Sequence, residues 1–342
     1  MKAIALISGG LDSILAARLV KEQGIDVIPL NFRIPFCHRD KSISSADNST
    51  ACLVEGSLSH KLEVIDISEE FLKLLGSPRH GFGSNMNPCI DCKILMLTKA
   101  KELMPEKNAG FVITGEVLGQ RPMSQHRDAL QIIAKRSGLE NLVLRPLSAQ
   151  LLPETIPESA GWIKRSALLS FAGRGRRPQL DLANSYGIKD FAWPGGGCLL
   201  TDPEFSKRLK DLISHKELNT DNTALLKFGR HFRLSENTKL IVGRDEKEDL
   251  ELEKLVRPGD YLFYPNEYLA GPISLARGNL NEELIKLSAG ITCRYCDLNG
   301  APSAGIMYLA KAGTVSRGDS GDSPRLLEVP PLSEAELANL RI

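Results

Sequence analysis

The stretch ISGGLDSILAARL, residues Ile7–Leu19, decides the reading of this chain. It closes a short apolar run that begins almost at the first residue. Ala3–Ile7 reads as a buried strand. Ile14–Lys21 reads as a helix with Ile14, Leu15, Leu19 and Val20 on one face. Between strand and helix stand two glycines, an aspartate and two serines. A glycine-rich turn that opens a helix is an anion site, because the first helical N–H groups have no intrahelical partner. Gly9 and Gly10 permit close backbone approach to phosphate oxygens. Ser8 and Ser13 add hydroxyl donors. Asp12 is the odd member: a carboxylate beside phosphates needs a cation, and Mg²⁺ bridging the two is the natural solution.

The rest of the first half extends the pattern. Gly24 ends the helix, and Asp26–Phe32, Leu62–Ile67, Phe111–Thr114 and Leu142–Leu144 read as further strands with helical stretches between them, including Cys92–Leu103. Strand alternating with helix predicts an α/β fold with a doubly wound parallel sheet. Ligands on such sheets sit at the carboxyl ends of the strands. The polar, irregular stretches 33–60 and 76–90 read as loops above that edge. Helical signals return over Trp162–Tyr186. After the polar stretch Ser214–Thr223 the pattern changes to short strands in KLIVGRD, DYLFYP and AGIMYLA. The expected organisation is a nucleotide domain over 1–212, a linker over 213–223, a small α+β domain over 224–312 and a flexible tail over 313–342.

Composition bounds the class. The 342 residues carry a net charge of +1, so any basic footprint is local. No apolar run approaches the ~20 residues that span a bilayer. No signal peptide is evident, and a cytoplasmic location without membrane contact is the default. Seven cysteines there suggest metal, redox or buried thiols rather than disulfides.

Two common nucleotide loops do not fit the opening stretch. GxxxxGK[ST] and GxGxxG are both absent. Ser8-Gly9-Gly10-Leu11-Asp12-Ser13 instead resembles the SGGxDS loop of the PP-loop ATP pyrophosphatases, of the adenine nucleotide alpha-hydrolase-like fold. That family splits ATP between the α- and β-phosphates.

The cysteines narrow the reading. NPCIDCK supplies Cys89 and Cys92, and PGGGCLLTDP supplies Cys198. VITGEVLGQRPMSQ (Val112–Gln125) and LRPLSA (Leu144–Ala149) resemble segments of the tRNA 4-thiouridine synthetase family. NPC with a following cysteine, and a late glycine-flanked cysteine, are similar to tRNA 2-thiouridylases. The resemblance covers about 1–212. It implies ATP-dependent thiolation of a tRNA uridine: adenylation of a uracil carbonyl oxygen, then attack by sulfur. It places ATP on Ser8, Gly9, Gly10, Leu11, Asp12, Ser13, Thr114 and Gly115. It gives Asp12, Cys89, Cys92 and Cys198 the catalytic roles. It also implies a [4Fe-4S] cluster on Cys89, Cys92 and Cys198. The rivals are persulfide chemistry with Cys198 attacking and a zinc site completed by Cys37 or His38. The sulfur donor would be sulfide or a cysteine desulfurase product. That family carries an RNA-binding region before its PP-loop, whereas here the sheet comes first.

RNA contact is therefore expected elsewhere. Lys164, Arg165, Arg174, Arg176 and Arg177 fall within fourteen residues of an otherwise neutral chain. FGRHFRLSENTKLIVGRDEKEDLELEKLV faintly resembles the RNA-binding domain of the NFACT family, which makes Arg230, Arg233, Lys239 and Arg244 further candidates. The partner is then tRNA; a homodimer is compatible with the sequence and not required by it. The pair Cys293/Cys296 reads as structural thiols. GDSGDSP (Gly318–Pro324) reads as coincidence, because no matching His and Asp context precedes it. Two other functions compete: a PP-loop amidotransferase or small-molecule ligase, and a non-catalytic RNA-binding or sulfur-trafficking protein. The absence of a glutaminase segment counts against the first, and the intact Asp12 and cysteine set against the second.

Overall fold

The computed structural model describes residues 1–36, 49–188, 191, 198–311 and 323–342. They divide into two compact units, Met1–Pro203 and Glu204–Ile342.

The first unit is built on a five-stranded parallel sheet. In chain order it runs β1 (Lys2–Leu6), α1 (Leu11–Lys21), β2 (Asp26–Arg33), α2 (Ser49–Leu58), β3 (Glu63–Asp66), α3 (Ser68–Gly76), α4 (Cys89–Lys107), β4 (Phe111–Thr114), α5 (Arg127–Arg136), β5 (Val143–Leu144), α6 (Ile156–Ser159) and α7 (Arg177–Ser185). The strand order β3-β2-β1-β4-β5 reverses at β1. That reversal opens a crevice between the carboxyl ends of β1 and β4. The central strands are continuous apolar runs because helices cover both faces: Ala3, Ile4 and Ala5 are buried, as are Phe111, Val112 and Ile113. Every residue of α1 from Ser13 to Ala17 is buried too, so the PP-loop rests on a rigid floor. The expected helical signal over Trp162–Tyr186 resolves into one short 3₁₀ turn, Arg165–Ala167, and α7. The intervening segment instead bridges Ala172 to Leu118.

The second unit comprises α8 (Pro203–Ser214), α9 (Thr220–Leu225), β6 (Arg230–Ser235), β7 (Thr238–Val242), α10 (Glu246–Lys254), β8 (Tyr261–Pro265), β9 (Ser274–Gly278), α11 (Glu282–Arg294), β10 (Ala304–Ala310), β11 (Arg325–Val329) and α12 (Glu334–Leu340). Its six strands form one sheet, antiparallel throughout, in the order β11-β10-β8-β9-β7-β6. One face packs Phe232, Phe263 and Ile306 against Ala289, Ile291 and Cys293 of α11. The other packs Ile241, Leu262 and Leu275 against Leu225 of α9 and Leu252 of α10.

Two expected boundaries are corrected here. Residues 213–223 are not a linker, and the first unit ends at Pro203 rather than at 212. The reason is electrostatic. Arg233, Lys239 and Arg277 lie opposite one another across β6, β7 and β9. Asp211 of α8 and Glu217 both receive Arg233, at 2.6 and 2.8 Å, and Asp211 also receives Lys239 at 3.0 Å. Within the polar stretch that suggested a linker, Glu217 and Asn222 bind Arg233 and Arg277 of this cationic row, and Asp211 joins them from α8. Residues 313–342 are likewise not all tail: β11 pairs with β10, and a Ser333–Glu336 capping box starts α12. Within GDSGDSP, residues 318–322 lie outside the described residues.

Candidate active site

The loop after β1 is shaped by its own side chains. Gly9 adopts φ +73°, a left-handed conformation that side chains resist. Ser13 closes the turn: its hydroxyl donates to the Gly10 carbonyl at 2.7 Å and accepts the Ser8 N–H at 3.2 Å. Gly10 is the N-cap of α1 and offers no side-chain cap; the Ser13 amide donates to the Gly10 carbonyl at 3.1 Å, which leaves the amides of Leu11 and Asp12 to an anion. Gly115 follows β4. A Cβ there would sit 2.4 Å from the Ser13 nitrogen, so only glycine lets the end of β4 close on the start of α1.

A cavity of about 220 Å³ lies over these strand ends. Its walls include Ser8, Gly10, Leu11, Asp12, Ser13, Thr114 and Gly115, together with Cys89, Cys92 and Cys198. Gly9 is buried behind the loop and is not part of the wall. Asp12 faces the cavity asymmetrically. Its Oδ2 accepts Gln120 Nε2 at 3.1 Å and lies 3.7 Å from Arg176 Nη2. Its Oδ1 is buried and has no hydrogen-bond partner. A buried, orphaned carboxylate oxygen beside open helical amides fits a divalent cation.

The three cysteines reach this wall from different elements. Cys89 and Cys92 occupy the first turn of α4. Cys89 Sγ donates to the buried Ser124 hydroxyl at 3.1 Å. Between them Asp91 is buried and accepts the His80 N–H at 2.8 Å, with His80 Nδ1 at 2.9 Å. That pair pins the preceding loop over the helix start. The loop then meets the third cysteine's turn: Met86 N–H donates to the Leu200 carbonyl at 3.0 Å, and Leu199 N–H to the Phe36 carbonyl at 3.1 Å. Cys198 Sγ lies 3.7 Å from the same Phe36 oxygen. Three soft sulfurs on one wall suit an iron–sulfur cluster by donor chemistry. Among the described residues no three His, Cys, Asp or Glu converge to hold a single metal ion. Cys37 and His38, the suggested fourth zinc ligands, lie outside the described residues.

A charged group that sequence reasoning missed braces the far wall. Glu116 is buried, and its Oε2 accepts Arg145 Nε at 3.0 Å and the Thr114 hydroxyl at 3.0 Å. Lys93 lies 3.8 Å from the other oxygen. Burial alone would raise the Glu116 carboxyl, but the Arg145 and Lys93 charges more than offset it and hold it below its ordinary value. TGEVLGQ and LRPLSA thus meet as one buried ion pair tying β4 to β5. Lys93, directly after Cys92, faces the cavity as well. The signal was present, since Glu116, Gln120 and Arg145 all stand inside the quoted motifs, but spacing along the chain does not reveal a pairing across strands.

The expected RNA contacts separate. Lys164, Arg174 and Arg177 are exposed. Arg165 is a structural brace, donating to Glu158 at 2.5 Å and to the Leu152 carbonyl at 2.8 Å. Arg176 turns into the cavity. In the second unit Arg233 and Lys239 are consumed by Asp211 and Glu217, which corrects their assignment to RNA: an Arg held by four charge-assisted bonds has few donors left. Arg230 stacks 4.6 Å over the Tyr295 ring. Arg244 is half exposed and paired with Glu248. Cys293 is buried in the core, and burial pushes the half-buried Cys296 up to about 12, which fits inert structural thiols.

Fold and loop together define the first unit as a PP-loop ATPase-type domain. Residues 1–158 match the family described as thiamine biosynthesis protein (ThiI), and residues 229–339 match the NFACT protein RNA binding domain. The chain therefore joins a ThiI-type PP-loop domain to an NFACT-type domain. A "Probable tRNA sulfurtransferase" of Thermococcus kodakarensis is 29% identical over 150 residues, covering 43% of this chain and 36% of that protein. One of the same description from Ureaplasma parvum is 33% identical over 150 residues, covering 43% and 37%. The chain thus spans little more than a third of these relatives. Among solved structures, a 4-thiouridine synthetase–RNA complex with bound ATP is similar at 18% identity and a TM-score of 0.35, over 65% of this chain and 53% of that one. Among the described residues no helix is long and apolar enough to cross a membrane.

Proposed function

We propose that this protein thiolates a uridine in tRNA at the expense of ATP. The uracil carbonyl oxygen attacks the α-phosphorus, a new O–P bond forms, and pyrophosphate leaves. Sulfur then attacks the ring carbon, the C–O bond breaks, and AMP departs. One observation carries the reading: the SGGLDS loop and the sulfurs of Cys89, Cys92 and Cys198 open into the same cavity. Activation and sulfur delivery must share a chamber, because an adenylated uracil exposed to water would hydrolyse.

The residues take distinct parts in this reading. Ser8, Gly10–Ser13, Thr114 and Gly115 bind the nucleotide, with the amides of α1 on the phosphates. Asp12, through its orphaned Oδ1, would hold Mg²⁺, which supplies charge neutralisation to the phosphates. Cys89, Cys92 and Cys198 hold the sulfur. A [4Fe-4S] cluster on these thiols would supply a hydrosulfide. With persulfide instead, the outer sulfur of Cys198 attacks the ring carbon, and Cys92 or Cys89 releases it by forming a disulfide that a thiol reductant must reopen. The second unit, with exposed Arg174 and Arg177 of the first, would bind the RNA backbone.

Mass spectrometry of tRNA nucleosides from cells lacking the protein tests this reading. Loss of 2-thiouridine or 4-thiouridine supports it and names the oxygen replaced; unchanged levels of both refute it. Anaerobic purification tests the sulfur carrier. A brown protein bleached by Cys89→Ser supports the cluster, and a colourless protein that still thiolates supports persulfide.

A further inference from the structure

We infer that Arg176 is a phosphate-site residue that receives the charge developing on the departing pyrophosphate, not an RNA contact. The inference rests on the ATP-dependent reading above and adds a residue to its machinery.

The basic run FAGRGRRPQ contains three arginines close together, and the fold sorts them. Arg174 and Arg177 are exposed, whereas Arg176 is half-buried and lines the cavity. The sorting is imposed from both sides. Upstream, Ala172 bridges Leu118, and the Gly173 N–H donates to the Leu118 carbonyl at 2.7 Å. That anchors the run to the same loop that carries Gln120. Downstream, Arg176 is the N-cap of α7, and a proline in the first helical turn sets the helix direction. With both ends held, the middle arginine faces Asp12.

The distances suit a shared phosphate site. Arg176 Nη2 lies 3.7 Å from Asp12 Oδ2, an ion pair too long for a hydrogen bond. Its guanidinium makes no side-chain hydrogen bond among the described residues, so its donors can serve an anion. Asp12 Oδ2 already accepts Gln120, and Oδ1 is buried without a hydrogen-bond partner. Arg176 is thus near enough to reach phosphates bound at the same loop and not locked to the carboxylate.

The chemistry calls for such a group. When the uracil oxygen bonds to the α-phosphorus, the bond to the bridging oxygen breaks and its electron pair goes to pyrophosphate. This chain lacks the lysine that closes a GxxxxGK[ST] loop. Of the other cations on the wall, Lys93 stands 3.8 Å from the buried Glu116 and helps to keep it ionised, and Arg121 is exposed. A planar guanidinium presents its donors to two phosphate oxygens in a fixed fork, whereas a lysine ammonium acts as a point charge.

The test compares Arg176→Ala, Arg176→Lys and the double variant Arg174→Ala/Arg177→Ala in the full-length protein. Magnesium pyrophosphate binding is measured by calorimetry, pyrophosphate release with tRNA by steady-state kinetics, and tRNA affinity by filter binding. Arg176→Ala is expected to weaken pyrophosphate binding at least about tenfold and to lower kcat by about 10²–10³. Its tRNA Kd should stay within about twofold, and Arg176→Lys should recover part of the loss. The double variant should show the converse: weaker, less salt-dependent tRNA binding with pyrophosphate binding retained. Unchanged pyrophosphate binding in both Arg176 variants, or a loss confined to tRNA affinity, overturns the inference. If the wild type binds magnesium pyrophosphate through Arg176 but makes no thiouridine, the thiolation reading fails and this assignment stands.

Discussion

Asp12 shows how much a single carboxylate reveals when its two oxygens differ. One is shared by Gln120 and Arg176, and the other is buried without a partner. Replacing it with Asn keeps the shape and removes the charge. Asp12→Asn is expected to abolish pyrophosphate release while tRNA affinity is kept, as measured by release assay and filter binding. Gly115 makes a steric prediction. Gly115→Ala puts a methyl 2.4 Å from the Ser13 nitrogen, so ATP binding should fall at least about tenfold in calorimetry, with the fold otherwise retained. Glu116 and Arg145 make an energetic one. Arg145→Met leaves a buried carboxylate with only Lys93 nearby and should cost about 3–5 kcal/mol in urea unfolding. The pair Glu116→Gln/Arg145→Met should recover most of that. Asp12 was legible because local chemistry marks it, and Gly115 only through the resemblance of the motif that carries it. The Glu116–Arg145 pair was not, since twenty-nine positions separate its members and only the β4–β5 pairing joins them.

Helices and strands carry the next set of outcomes. The parallel sheet was readable because β1 and β4 are short apolar runs bounded by turn signals and alternate with helical stretches, as strands buried on both faces do. Within Trp162–Tyr186 the helical signal holds only for Arg165–Ala167 and α7; the apolar residues between them serve loop packing and the bridge at Ala172. His231 on β6 is buried; its Nε2 donates to the Phe228 carbonyl at 2.8 Å. Burial, then the Lys239 charge, hold its pKa well below the ordinary value. The folded state therefore keeps His231 neutral where the unfolded chain binds a proton. Stability should fall as pH drops below about 6.5, by about 1.4 kcal/mol per unit from this residue. Asp249 acts in the opposite sense, because burial raises it to about 6 and its folded form takes up a proton between there and its ordinary value. The His231 contribution is therefore read as the difference in slope between wild type and His231→Gln in unfolding measured from pH 7 to 5. Equal slopes would mean that His231 titrates normally in the fold.

The two units make a further prediction about the chain as a whole. The NFACT-type match begins at 229, yet the second unit begins at 204. Without α8 and α9, Arg233 and Lys239 lose Asp211 and Glu217, and Ile241 loses Leu225. A fragment of 229–342 should melt at least about 10 °C below one of 204–342, a difference worth a few kcal/mol in a domain of this size. Equal melting temperatures would show that these two helices are dispensable to the sheet.

Local chemistry in the sequence was enough to determine the strand–loop–helix at the amino end and the α/β class, and the resemblance of short motifs picked out the residues proposed for nucleotide and sulfur. These are short-range features, written in apolar period, glycine placement and residue type. Only the tertiary structure decided which charges neutralise one another. It made Asp211 and the expected linker residue Glu217 into counter-ions, withdrew Arg233 from the surface, joined Glu116 to Arg145, and set Arg176 against Asp12. Charge pairing acts through space at a few ångströms, and the distance between two side chains in space is not a function of their distance along the chain.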